Sequence, residues 1–160
     1  CSFMHFIPVH ANIKFDLNKV STGFFTASLD VSKFDASKLN NITEPLSLFI
    51  IKRGLVESGH VDISADNYHG NGKVAVVYKN LHITPVKKDT ARASGFKKKS
   101  VFSFIANKFV IKDENPSHGD LRQPEVSVKR DPKESFFNLI WKISLSGILK
   151  TTGIPEKYAN

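Results

Sequence analysis

Cysteine occurs once in these 160 residues, at position 1. The chain therefore cannot close an intramolecular disulfide, and its stability must come from packing. No run of about 18 apolar residues occurs, so no stretch of this sequence reads as a membrane-crossing helix. Tryptophan appears once and tyrosine three times, against thirteen phenylalanines. Phenylalanine brings a large apolar surface without a polar handle, so the balance favours a greasy core or groove over a polar active site. An initiator Met is missing, as is any basic segment followed by an apolar stretch of signal type. The sequence is expected to be a processed protein or a piece of a longer one, and Cys1-Ser2 suits either a lipoprotein cysteine or a fragment boundary.

Convergent chemistry is also scarce. The six histidines, His5, His10, His60, His69, His82 and His118, form neither an HExxH motif nor a tight cluster with Asp or Cys. "HGNGK" lacks the spacing and the Ser or Thr of a phosphate-binding loop, and reads as a turn. "SHGD", from Ser117 to Asp120, contains the letters of a catalytic triad, but triads are assembled by the fold and rarely from adjacent loop residues. The expectation is a protein that is not an enzyme and holds no metal and no cofactor.

What is present is ordinary globular chemistry, 41% hydrophobic and 24% charged, enough for one domain over residues 1–160. The net charge of +8 is uneven: residues 1–80 hold eight basic and seven acidic side chains, residues 81–160 fifteen and eight. Lys87, Lys88, Arg92 and the run Lys97, Lys98, Lys99 account for much of the excess. Such a loop can bind phosphate on anionic lipid or nucleic acid, or simply keep an apolar sheet soluble. Nucleic acid is the weakest of these expectations, because Phe102 and Phe104, the aromatics nearest the run, sit among Val and Ile at core-like alternation.

The hydrophobic pattern is mostly that of strands. "VHANIKFDL" alternates Val9, Ala11, Ile13, Phe15 and Leu17 with polar residues, and "FTASLDV" repeats this with Phe25, Ala27, Leu29 and Val31. Joined by "NKVSTG", they are expected to pair antiparallel. "SKFDASKLNNITEPLSLFIIKRG" breaks the period; Asp35 or Ser37 would cap a short helix that Pro45 interrupts, and Gly54 would end the apolar run. "HVDISADNYHGNGKVAVVY" reads as a hairpin turning at His69 to Gly72. Its second strand is long and apolar on both parities at first: Val74, Val76 and Tyr78 against Ala75, Val77, Leu81 and Ile83. Because Asn80, His82 and Thr84 then make the even side polar, the odd side from Ala75 to Ile83 is the better candidate for a continuous buried surface. "SVFSFIANKFVIKDE" and "PEVSVKRD" supply two more strands. Past residue 131 the period becomes helical, over about 132–152, with Asp131 as cap, Pro132 and Glu134 in the first turn and Gly153 and Pro155 as stop. At about 100° per residue Phe136, Leu139, Ile140 and Ile143 share one side, with Phe137, Trp141, Leu145 and Ile148 beside them. So apolar a helix must be largely buried or lie on a membrane or an open sheet.

The succession of "KLNNITEPLSLFI", "GLVESGHVDISADN", "HGNGKVAVVYKNLHI", a basic stretch, a Phe-rich strand and "FFNLIWKISLSGILKTTGI" resembles the C-terminal region of AsmA-like proteins of the Gram-negative envelope. A strand ending in Gly is there followed by apolar-apolar-Tyr-x-x-Leu, matched here by Val76, Val77, Tyr78, Asn80 and Leu81. The resemblance spans roughly residues 9–154 and rests on order and pattern. It implies a periplasmic, non-enzymatic domain, membrane-associated through missing parts of a longer parent, whose curved sheet carries acyl chains on an apolar concave face in support of lipid transport and outer-membrane assembly.

Both lines lead to a mainly β domain with a C-terminal helix: a curved antiparallel sheet or groove, strand-rich over 1–131 and covered in part by the apolar helix. The expected groove lining is Ile13, Phe15, Ala75, Val77, Leu81, Ile83, Phe102, Phe104 and Trp141. Lys87, Lys88, Lys97, Lys98 and Lys99 form the expected rim for a phospholipid headgroup or a membrane surface. A closed β-sandwich acting as an interaction module would show the same alternation, and remains the alternative.

Overall fold

The computed structural model of the chain describes residues 2–3, 7–43, 49–85 and 111–154. They form a mainly β protein, a curved, open antiparallel sheet with a C-terminal helix packed on it. Its strands are β1 (Ser2–Phe3), β2 (Ile7–Phe15), β3 (Phe25–Val31), β4 (Phe34–Asp35), β5 (Phe49–Ala65), β6 (His69–Pro85) and β7 (Glu125–Lys129). The order across the sheet is β1-β2-β3-β5-β6-β7, with β4 pairing β5 beyond the end of β3. The described strands make one sheet rather than the two facing sheets of a sandwich. The strand expected over "SVFSFIANKFVIKDE" lies outside the described residues except at its end, residues 111–114, which are not a strand.

Register follows alternation where it is regular. Phe15, Phe25 and Ala65 oppose one another in turn, as do Ile13, Ala27 and Ile63, so the apolar residues of β2, β3 and β5 share one face. Across β6 and β7 the same two rows continue as Gly70 and Val128, and as Gly72 and Val126. The long helix α2 (Phe136–Thr152) lies on this face; the short α1 (Asn40–Thr43) follows a 3-10 turn over Ala36–Leu39. Asp35 caps that turn, its carboxylate accepting from the Ser37 amide at 2.9 Å.

Three sequence readings are corrected. The hairpin turns at Asp66 to Tyr68, before the glycines: one Asp66 carboxylate oxygen accepts from the Tyr68 and His69 amides at 2.7 and 2.8 Å, holding its pKa below the usual carboxylate value. Gly70 and Gly72 are strand residues under the helix, where a Cβ would come within 2.8 Å of Ile143 Cδ1 and 2.4 Å of Ile143 Cγ2 respectively. The helix begins at Phe136, capped by Ser135, while Asp131 closes the preceding turn by accepting from the Lys133 amide. At the other end Gly153 adopts the left-handed conformation, φ 82°, as its sequence position suggests. Gly54, expected to stop an apolar run, lies inside β5, packed against Leu81 and Ala36.

A fourth correction concerns the faces of β6. Val74 and Tyr78 are buried, whereas Ala75 and Val77 are only partly so, on the opposite face. Lys79 and Asn80 are then both exposed, and Leu81 is buried. Asn80 takes a positive φ of 54°, and the pairing with β5 slips between Lys79 and His82. This is a bulge, and it moves the buried set from even to odd positions. β5 does the same at Lys52-Arg53 and at Glu57-Ser58.

The core accordingly has two parts. One surrounds Ile143 and includes Phe25, Ile63, Val74, Val126 and Leu139. The other surrounds Leu149 and includes Ile51, Val56, Tyr78, Leu81 and Ile154. Between β7 and the end of β6, the free edge of β6 is closed by residues 113–115: the Tyr78 amide donates to Asn115 O at 2.9 Å and the Leu81 amide to Asp113 O at 2.8 Å. Asn115, fully buried, donates to Val76 O and accepts from the Arg122 amide, while the Arg122 guanidinium donates to the Tyr78 hydroxyl at 3.3 Å. Burial pushes the Tyr78 phenol above its ordinary pKa.

Candidate functional site

Helix α2 packs mainly on β6 and β7 and only lightly on β5, so it is set to one side of the apolar face. The face continues over β3 and β2, where Phe25 and Ala27 are still buried and Phe136 of the helix reaches Phe25 and Phe15. Ile13, Leu29, Val31 and Val9 are half-buried there and Ala11 is exposed, although all lie in register with the buried Val61 and Ala27 rows or next to them. Among the described residues, the part of this apolar face toward β2 is half-buried rather than sealed.

That part of the face ends in a cluster of rings. Phe15 meets Phe25 and Phe136 at centroid distances of 5.8 and 5.5 Å, Phe25 meets Phe136 at 5.9 Å, and Phe137 lies against Phe136 at 4.0 Å. Phe25 is sealed, but Phe15 is 56% and Phe137 61% exposed. Leu17, two residues past the end of β2, is 82% exposed, and Tyr68, in the β5–β6 turn, 69%. Those four are the exposed large hydrophobics of the described residues, and all stand at one end of the sheet. That end is fastened: the Asn67 amide donates to Thr22 O and the Arg130 amide to Tyr68 O.

The residues expected to line one groove are thus divided. Ile13 is half-buried on β2 and Phe15 is exposed at the ring cluster; Trp141 is half-buried on the flank of the helix. Ala75 and Val77 face the other way, and Leu81 and Ile83 belong to the second core. Phe102, Phe104, Lys87, Lys88, Lys97, Lys98 and Lys99 lie outside the described residues. Leu17, Tyr68 and Phe137 were missed as site residues. The available signal for Leu17 and Tyr68 was their place, each a large apolar residue immediately before a segment the sequence marks as a turn.

The opposite face is polar and hollow. An open depression of about 860 Å³ runs across β2, β3, β5, β6 and β7. None of the apolar candidates lines it. Beside it His60 bridges two carboxylates, Nδ1 lying 2.7 Å from Asp30 Oδ1 and Nε2 3.0 Å from Asp62 Oδ2. The Asp30 carboxylate first, and Asp62 second, favour the protonated ring and raise the His60 pKa. Ser117 Oγ lies 3.1 Å from His118 Nδ1, but Asp120 pairs with Ser117 through the backbone, so the three side chains do not form a relay. Among the described residues no group of three or more His, Cys, Asp or Glu could hold a metal ion, and no helix is long and apolar enough to cross a membrane. Comparison with protein-family models, curated proteins and solved structures returned no match.

Proposed function

We propose that this domain is a non-enzymatic binding surface for acyl chains, in keeping with the resemblance of its sequence to the terminal region of AsmA-like envelope proteins, and that it serves lipid transport and outer-membrane assembly from the periplasm. One observation carries the reading: four large apolar side chains, Phe15, Leu17, Tyr68 and Phe137, stand exposed at one end of the sheet, beside apolar residues of β2 and β3 that are only half-buried. Scattered exposed hydrophobics need no explanation, but four of them gathered at one end of the sheet do. The surface that binds is the helix-bearing face and its Phe cluster, since the hollow on the other face is ringed by polar and charged side chains and holds no large apolar group in the open.

An acyl chain laid on this surface gains about 0.8 kcal/mol for each methylene removed from water, so partial coverage gives binding that is still reversible. The ring cluster offers a firm base, because Phe25 and Phe136 hold Phe15 and Phe137 in place before any ligand arrives.

Native mass spectrometry of the purified protein, followed by organic extraction, tests the proposal. Phospholipid at defined stoichiometry is the expected result, reduced in a Phe137→Asp/Leu17→Asp variant that keeps its melting midpoint. A clean apo mass after incubation with phospholipid vesicles would remove the acyl-chain reading.

A further inference from the structure

The polar hollow on the face away from the helix has a regular construction. Asn12, Ser28, Asp62, Lys73 and Glu125 stand side by side on β2, β3, β5, β6 and β7 and form one wall. Two residues further along each strand, Lys14, Thr26, Ser64, Asn71 and Ser127 form the other. With strands about 4.8 Å apart and a rise of about 3.4 Å per residue, the channel is about 19 Å long and its walls about 7 Å apart. It crosses the strands, so its floor is the backbone between the two rows.

Its chemistry narrows the occupant. Six of the ten wall positions are Asn, Ser or Thr, whose side chains both donate and accept hydrogen bonds. Both signs of charge are present, Lys14, Lys73 and, from the end of the helix, Lys150 against Asp62 and Glu125, so a polyanion meets carboxylates and a polycation meets ammonium groups. Among the described residues no aromatic side chain lines the hollow. We infer that this channel binds a neutral polyhydroxylated chain, a short linear oligosaccharide lying across the five strands, whose hydroxyls donate and accept along their whole length as the walls do. His60 is a positioning residue for it, because its Nε2 holds the Asp62 carboxylate at 3.0 Å on the channel wall. Without a stacking ring the affinity is modest, on the order of 1 mM.

The inference stands apart from the acyl-chain surface on the other face and is tested separately. Amide spectra of the ¹⁵N-labelled protein are followed during titration with cellotetraose and maltotetraose, with a heparin fragment and oligolysine as charged controls. Saturable shifts at Ser28, Asp62, Ser64 and Asn71 with at least one neutral sugar, and none there with either control, are expected. Asn71→Leu should weaken this binding by about tenfold, the loss of one to two hydrogen bonds; should that variant fail to fold, Ser64→Val takes its place. Absence of shifts with both sugars, equal shifts with a charged control, or binding unaltered in the folded variant overturns the proposal.

Discussion

A methyl group added to Gly147 would lie 2.3 Å from Cγ2 of Val74, closer than any relaxed contact allows. Gly147→Ala should therefore cost about 1–3 kcal/mol through overpacking, although alanine is the better helix former by about 1 kcal/mol. Urea unfolding reads this directly, and combining the change with Val74→Ala should cost less than the two added separately, since the clash is then relieved. His60 gives a residue-scale prediction in pH. Its folded pKa is raised, so the stability it contributes is fully present below the unfolded value of about 6.5 and is lost as pH rises through the higher native value. The ring is exposed, so the effect is small and salt weakens it. The difference in urea midpoint between the protein and His60→Gln should shrink to nothing on the alkaline side; a constant difference would contradict the bridge. At this scale the sequence was legible in part. Asp35 and Gly153 announced their roles by type and place. Gly70 and Gly72 did not, because a glycine that admits a helix looks the same in sequence as one that makes a turn.

Within helix α2, sensitivity to truncation should follow distance from the sheet. Ile143 is fully buried, and Ile143→Ala is expected to cost about 2–5 kcal/mol. Half-buried Trp141 should fall below the roughly 3–5 kcal/mol of a sealed tryptophan, and Phe137→Ala should stay within about 1 kcal/mol. A thermal or urea series over these three variants checks the order; a Phe137 cost equal to that of Ile143 would mean that the exposed flank is covered. Strands β2, β3 and β7 could be read from alternation because their faces do not change along their length. β5 and β6 could not, since each bulge hides in two adjacent polar residues, Lys52-Arg53, Glu57-Ser58 and Lys79-Asn80, that a strict period of two counts as noise. The helix start was misplaced because Asp131 and Ser135 are both good caps, and only the chain's path out of β7 decides between them.

On the scale of the molecule, protection should be greatest at the centre of the sheet. β5 is paired on both sides, by β3 and β4 and by β6, whereas among the described residues the outer edge of β2 meets only the two residues of β1. Hydrogen exchange is expected to be slowest in β5 and the first half of β6 and fastest along the outer edge of β2; uniform protection of β2 would show that its edge is paired by something else. The overall class, an antiparallel sheet with one apolar helix, was legible from periodicity alone. The sideways placement of the helix was not, because it depends on the Gly70, Gly72 and Gly147 seat, where three missing side chains let two backbones approach. The bulges of the β5–β6 pair have a consequence for assembly. A uniformly alternating hairpin of seventeen residues a side can slide by two positions and still bury its apolar face. Here any such slide sets the three phase changes of the two strands against one another, exposing Leu81 or burying a lysine, so the arms of the hairpin fit together in one alignment, like the wards of a key.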